Sequence, residues 1–300
     1  MNAQTVENYN LIRENRPGFY AQKRGLIEVS GKEAIQFLNG LITNDVVKLE
    51  DGAQMSAAFP NAQGRLIAVV RVLRRGDKFL FETEEATHEK VFNNLFRFTF
   101  AGDFFVEDLS ENYRFFSLLN FKSQISDSIC FPTNFGMDCF VLNAPSDVLF
   151  FEELENQKAV EISDELYEVL RVEQGIPLYG VDIDETTIVP ETGLPEIISY
   201  NKGCYIGQEI IARIHFRGHI AKQLTGLILS EPLASAGGLT GQELKSRDDK
   251  NAGKITSAVF SPKLGRQIAL GFVRYDYLAE GTELKLGEMT AMVKNLPFVE

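Results

Sequence analysis

From Lys222 onward apolar residues come only in short runs, at 224–229, 253–260, 268–273, 283–286 and 290–293, separated by Gly, Pro and Asp turns. Strands can bury such runs and long helices cannot, so the spacing predicts an antiparallel barrel or sandwich. Upstream the period changes to helix-compatible spacing, which places a boundary near Ala221.

Residues 25–29 alternate like a strand. After Ser30-Gly31 the apolar positions Ala34, Ile35, Phe37, Leu38, Leu41 and Ile42 recur at helical spacing, and Thr43-Asn44-Asp45 ends the run. Runs at 55–59, 66–73 and 79–82, separated by Pro60-Asn61-Ala62-Gln63-Gly64 and Arg74-Arg75-Gly76-Asp77, predict a three-stranded meander. Helical spacing returns at Val91, Phe92, Leu95 and Phe96, and a strand follows at 104–106. This order predicts a split α+β layer. A second α+β stretch covers 113–175, with strands at 115–119 and 140–142 and a helix at 164–174. Residues 176–195 form a long Pro- and acid-bearing connection of the kind that often carries function.

Composition excludes several classes. The 300 residues are 44% apolar and 24% charged, ordinary for globular chains, with room for two or three domains. Thirty basic against 42 acidic side chains give a net charge of −12, which argues against direct nucleic-acid binding and against membrane-surface adhesion. The N-terminus is polar and no run approaches bilayer length, so a soluble, cytoplasmic protein without a membrane partner is expected. Cys130, Cys139 and Cys204 form neither an even framework nor a CxxC pair, so three free thiols in a reducing compartment are expected.

The chemistry concentrates in Asn201-Lys202-Gly203-Cys204-Tyr205-Ile206-Gly207-Gln208-Glu209 and the helical pattern after it. Cys204 just before a helix N-terminus, with Lys202 nearby, is placed where a thiolate is favoured; a packed, inert cysteine is the alternative. Gly203 and Gly207 point to close backbone approach, either by a ligand or within a tight turn. Between 202 and 222 the charge inverts: Lys202, Arg213, Arg217 and Lys222, with His215 and His219, meet only Glu209. Such a patch suits an anionic ligand, or else salt-bridges the acidic remainder. His215 and His219 with Cys204 lack a fourth ligand, and Gly218 interrupts the helix, so no metal is expected. Glu173 falls in the last turn of its helix, where the dipole disfavours a carboxylate; either Arg171 and solvent compensate it, or the N–H donors of a ligand do, a pterin edge being a good match.

Lys202-Gly203-Cys204-Tyr205-Ile206-Gly207-Gln208-Glu209, with Ala212-Arg213 and Phe216-Arg217-Gly218, resembles the signature of the YgfZ-type folate-binding proteins, relatives of the glycine-cleavage T-protein (aminomethyltransferase). The resemblance extends to Val29-Ser30-Gly31, Phe37-Leu38-Asn39-Gly40, Thr43-Asn44-Asp45-Val46, Gln63-Gly64-Arg65, the segment from Arg171 to Pro177, and pieces of the C-terminal region including Gly253-Lys254-Ile255-Thr256-Ser257 and Leu296-Pro297-Phe298. It implies an α+β fold of two intertwined ferredoxin-like lobes and a C-terminal antiparallel β-barrel, arranged as a clover-leaf around a central channel. The domains are then 1–220 (lobes 1–50 with 110–220, and 51–109) and 221–300. It further implies that tetrahydrofolate or a one-carbon derivative is bound through Glu173, Arg213, Tyr179, Lys202, Tyr205 and Gln208. The same resemblance implies Cys204 as the candidate functional thiol, with Gly203, Gly207, Glu209, Arg217 and Gly218 as motif positions. The implied role is maintenance or assembly of iron–sulfur clusters in client enzymes, including tRNA-modifying ones, with assembly proteins or those enzymes as partners. The alternative is a tetrahydrofolate-dependent aminomethyltransferase or other one-carbon transferase. Against it, aminomethyltransferases carry acids just after the meander's Gly pair, whereas this chain reads Leu66-Ile67-Ala68-Val69 and lacks that general acid/base.

Overall fold

The computed structural model describes residues 2–121, 125, 128–133, 136–143, 146–230 and 238–299. They divide into two compact units, 1–164 with 196–208, and 165–195 with 209–300.

The first unit contains α1 (Ala3–Arg13), β1 (Gly18–Gln22), β2 (Arg24–Ser30), α2 (Ala34–Leu41), β3 (Gln54–Pro60), β4 (Leu66–Arg75), β5 (Lys78–Glu84), α3 (Glu85–Phe96) and β6 (Phe105–Asp108). It continues through β7 (Tyr113–Leu119), β8 (Ser128–Thr133), β9 (Gly136–Leu142), α4 (Ser146–Asn156) and β10 (Val160–Glu161). The strands make two sheets, β3-β4-β5-β2-β6 and β10-β1-β7-β9-β8.

The expected meander forms because β4 alternates: Leu66, Ala68, Val70 and Val72 are buried, the last three in one cluster with Phe59 and Phe81. Helix α2 lays Ala34, Leu38 and Leu41 on the same core. Residues 24–30 join this meander, since β2 pairs with β5 from Arg24↔Glu84 to Val29↔Phe79. A second apolar cluster joins residues of the two sheets: Leu26, Leu73 and Leu80 from one, Phe115, Phe131 and Phe140 from the other. Beside it Arg71 donates to Glu82 at 2.9 Å and lies 2.7 Å from Asp138. Burial pushes the Glu82 carboxyl up, but Arg71 and Arg24 outweigh it and hold Glu82 below the usual range.

The free-thiol expectation is corrected for two of the three cysteines. Cys130 and Cys139 are a disulfide, joining directly opposed residues of the β8–β9 hairpin. Chain spacing alone hid the pair, because it is hairpin register that brings the two residues face to face.

Helix α1 and β1 lie in the segment that reads as merely polar. Only Thr5, Tyr9 and Ile12 of α1 are buried, a stripe too thin to stand out, and the Asn2 side chain caps the helix by accepting from Thr5 N.

The second unit contains α5 (Asp164–Gln174) and α6 (Gln208–Arg217), whose first residues fall in the neighbouring unit, and the strands β11 (Lys222–Leu229), β12 (Glu243–Lys245), β13 (Asn251–Ser261), β14 (Arg266–Arg274), β15 (Glu283–Leu286) and β16 (Met289–Lys294). These close into a barrel in the order β11-β14-β13-β12-β15-β16 around Leu227, Ile255, Val273, Leu284 and Val293. The open choice between sandwich and barrel is thereby resolved. Strand β12 escapes sequence reading because it is only three residues long. Among the described residues no helix is long and apolar enough to cross a membrane.

Candidate functional site

In the first unit the cysteine segment is built onto the C-terminal end of α2. That helix has no basic residue in its last turn, so its terminal carbonyls lack an internal partner and carry the negative end of the dipole. The segment supplies what is missing. Lys202 Nζ donates to the carbonyls of Asn39, Ile42 and Asn44 at 2.8, 2.7 and 2.7 Å. Ile206 N donates to Gly40 O and Ser199 N to Thr43 O. Thr43 Oγ1 adds a bond to Ile197 O, and Asn44 Nδ2 one to Glu196 O. Two segments about 160 residues apart are thus one hydrogen-bonded structure.

A second contact fixes the far end. Gly207 has φ +78°, and a Cβ there would lie 2.4 Å from Asn61 O, within the turn that carries Gly64 and Arg65. Asn61 holds that turn by accepting from Gln63 N and Arg65 N through its side chain. The close approach anticipated for Gly207 is therefore made by the protein's own backbone. Gly203 has no such constraint, its nearest neighbour being Asn39 Nδ2 at 3.9 Å.

Between these anchors Cys204 is a free, exposed thiol. Tyr205 is buried beneath, with the Lys202 ammonium 5.0 Å from its ring centroid. Burial, with Tyr200 nearby, pushes the Tyr205 phenol up to about 12, so it stays protonated at neutral pH and offers no base. Burial likewise draws Lys202 down to about 8, with Asp45 opposing. All three Lys202 protons are committed to backbone, which makes it a positioning cation for this segment. Asn39 Oδ1 is buried with no hydrogen-bond partner among the described residues, an acceptor that the sequence did not single out. Gln208 and Gly203 complete the segment, Gln208 N donating to Tyr205 O.

The second unit holds the other expected residues. Arg171 is buried, and every guanidinium donor is used: Nε and Nη2 on Glu168, Nη1 on Asp182 and Ile176 O, and Nη2 also on Ser257 Oγ. Asp182 in turn accepts from Thr256, Ser257 and Leu178 N. This network stiffens the turn after α5; the guanidinium of Arg171 is committed to Glu168, Ile176, Asp182 and Ser257, and the bonds to Thr256 and Ser257, 74 to 86 residues away, left no sign in the sequence. Glu173 is fully buried and accepts from Ser261 Oγ, while its carbonyl receives Phe298 N. Gly175, at φ +73°, lies against Leu296. Tyr179 is buried, its hydroxyl donating to Glu185 at 3.3 Å. On α6, Arg213 and Arg217 are exposed and in no ion pair among the described residues, as is Glu209; Gly218 follows the helix's last residue. His219 stacks on Tyr275, and among the described residues no three His, Cys, Asp or Glu side chains gather to hold a metal.

Residues 1–123 match the model of the GCVT N-terminal domain, and residues 222–299 that of the glycine cleavage T-protein C-terminal barrel domain. The chain belongs to the glycine-cleavage T-protein superfamily. Among its relatives is the aminomethyltransferase of Bdellovibrio bacteriovorus, 27% identical across 98% of this chain and 90% of that protein. A mitochondrial homolog of the iron–sulfur cluster assembly factor IBA57 from Mycosarcoma maydis is 25% identical across 68% of this chain and 55% of that protein. The crystal structure of the glycine cleavage system aminomethyltransferase T from Bartonella henselae superposes with a TM-score of 0.87 at 20% identity, covering 99% of this chain and 90% of that one.

For a T-protein superfamily member, β4 is notable. Ala68 is fully buried opposite Phe59, and Leu66, Ile67 and Val69 flank it, so this stretch has no proton donor or acceptor on a side chain.

Proposed function

We propose that this chain is a YgfZ-type, tetrahydrofolate-binding accessory protein that maintains or assembles iron–sulfur clusters in client enzymes, tRNA-modifying ones among them, with Cys204 as its functional thiol. The observation that carries the reading is Cys204 itself. A segment anchored at Lys202, Ile206 and Gly207 presents the Cys204 thiol to solvent rather than packing it. The iron–sulfur assembly relatives support the same direction.

The side chains present suit a folate in kind. Arg213 and Arg217, exposed and in no ion pair among the described residues, are guanidinium forks of the sort that take glutamate carboxylates. Glu173 is a carboxylate able to receive pterin N–H donors, a role in which it would share its oxygens with Ser261. Tyr179 belongs with these in the proposal, while Lys202, Tyr205 and Gln208 act by shaping the cysteine segment. A bound tetrahydrofolate would supply a carrier for one-carbon units. One-carbon transfer is the second reading, favoured by aminomethyltransferase relatives spanning nearly the whole chain, and opposed by the apolar 66–69 stretch.

The test is calorimetric titration with tetrahydrofolate and its 5-formyl and 5,10-methylene forms, on wild type, Glu173→Gln, Arg213→Ala and Cys204→Ser. Saturable binding weakened by the first two variants and kept by Cys204→Ser, with loss of iron–sulfur enzyme activity in cells carrying Cys204→Ser, is expected. Tetrahydrofolate-dependent release of a methylene unit from an aminomethyl donor would replace this reading with the transferase.

A further inference from the structure

The barrel carries a cleft of about 370 Å³ lined by Lys222, Lys254, Arg274, Glu243, Asn251, Thr256 and Phe272, with Ala221 and Gly253 completing it. The strand register explains why three cations meet there. Lys222 of β11 stands directly opposite Arg274 of β14, and Lys254 of β13 directly opposite Phe272, two residues before Arg274 on the same strand face. Lys222 Nζ sits 4.3 Å from the Phe272 ring centroid. Gly253 keeps the floor open at φ +156°, where a Cβ would fall 2.1 Å from Phe272 O.

Like charges placed directly opposite on neighbouring strands destabilise a sheet. Lys222 is relieved by the Phe272 ring, but among the described residues neither Lys254 nor Arg274 makes an ion pair, although the chain has an excess of acid and 42 carboxylate side chains to offer. Glu243 is opposite Lys254 in register without closing a pair, and Asp184 reaches Lys222 only through longer-range attraction. A cleft of small-molecule size with an aromatic wall and three cations, two of them in no ion pair among the described residues, suits an anion.

We propose that this cleft binds a small polyanion, a molecule bearing two or more adjacent phosphate or carboxylate groups. Arg274 would take one group through its planar fork, and Lys222 and Lys254 would act as point charges on its neighbour. Nothing about this site depends on Cys204 or on folate.

The experiment is calorimetric titration of the whole chain with tripolyphosphate and, separately, with γ-linked triglutamate. Wild type is compared with Lys254→Gln, Arg274→Gln and, as a control on β14 outside the cleft, Arg266→Gln. All three positions are exposed, so the variants are expected to fold, and melting without ligand checks this. Saturable binding that weakens by about tenfold or more in Lys254→Gln and Arg274→Gln, weakens with salt, and is unchanged in Arg266→Gln supports the site. Binding of tripolyphosphate alone assigns a phosphate ligand, and of triglutamate alone a polycarboxylate. No saturable binding of either probe, or binding indifferent to the cleft variants, overturns it.

Discussion

Lys202 is hydrogen-bonded to the carbonyl of Asn39, 163 residues earlier in the chain, and through that bond a helix end and a cysteine segment complete each other. Helix α2 lacks a cation of its own and receives one from a distance; the segment lacks secondary structure of its own and takes its shape from the helix's unpaired carbonyls.

Replacing Lys202 by Met should therefore cost about 2 kcal/mol, the range for hydrogen bonds to a charged group that leave carbonyls unpaired. The loss should be local first: amide exchange at residues 203–206 accelerates before the global melting temperature falls. Unchanged exchange there would break the link between the ammonium and the cysteine segment.

The same lysine predicts a pH signature. Burial holds it at about 8 in the folded chain against 10.5 for an ordinary lysine. Between those values the unfolded chain binds more protons than the folded one, so this group's contribution to stability rises as pH rises across that window. Below about 8 both states are charged and the contribution is flat. Denaturant midpoints measured from pH 7.5 to 10 should thus climb more in wild type than in Lys202→Met.

Gly207 and Gly203 make a matched pair. Gly207→Ala must place a Cβ at φ +78° and 2.4 Å from Asn61 O, so it should destabilise by about 2–3 kcal/mol or shift the segment bodily. Gly203→Ala meets nothing closer than 3.9 Å and should leave the melting temperature nearly unchanged. Equal effects of the two would show that the segment is not held against the 61–64 turn.

Thiol counting separates the cysteines. Native protein without reductant should take up one iodoacetamide, at Cys204, and denatured, reduced protein three. Uptake of three in the native state would contradict the Cys130–Cys139 bond.

Asp182→Asn removes one partner of a buried, fully bonded guanidinium. It should cost about 3–5 kcal/mol, far more than a surface ion pair such as Arg247–Glu283. Thermal unfolding of Asp182→Asn beside Glu283→Gln provides the measure.

Much of the architecture was legible because period and punctuation were strong. The alternation of Leu66, Ala68, Val70 and Val72 declares β4, and the turn-broken runs after Lys222 declare β strands. Sequence alone could not choose between sandwich and barrel, because closure depends on β11 finding β16. Nor could it see that residues 24–30 join the meander, since strand pairing across a sheet leaves no trace in local spacing. At the site the contacts were not legible: the three carbonyl partners of Lys202 lie about 160 residues away, and the cysteine pair was hidden by hairpin register.

The closed barrel imposes an order of assembly. Strands β3, β4 and β5 can zip together from adjacent turns, whereas β11 waits for β14 and then for β16, the last strand of the ring. Loop closure of that span must precede its reward, so the seam between β11 and β16 should form late and set the pace at which this unit matures. Until that seam closes, the facing edges of β11 and β16 are open to pairing with other chains, and crowded synthesis is where this protein is most exposed to error.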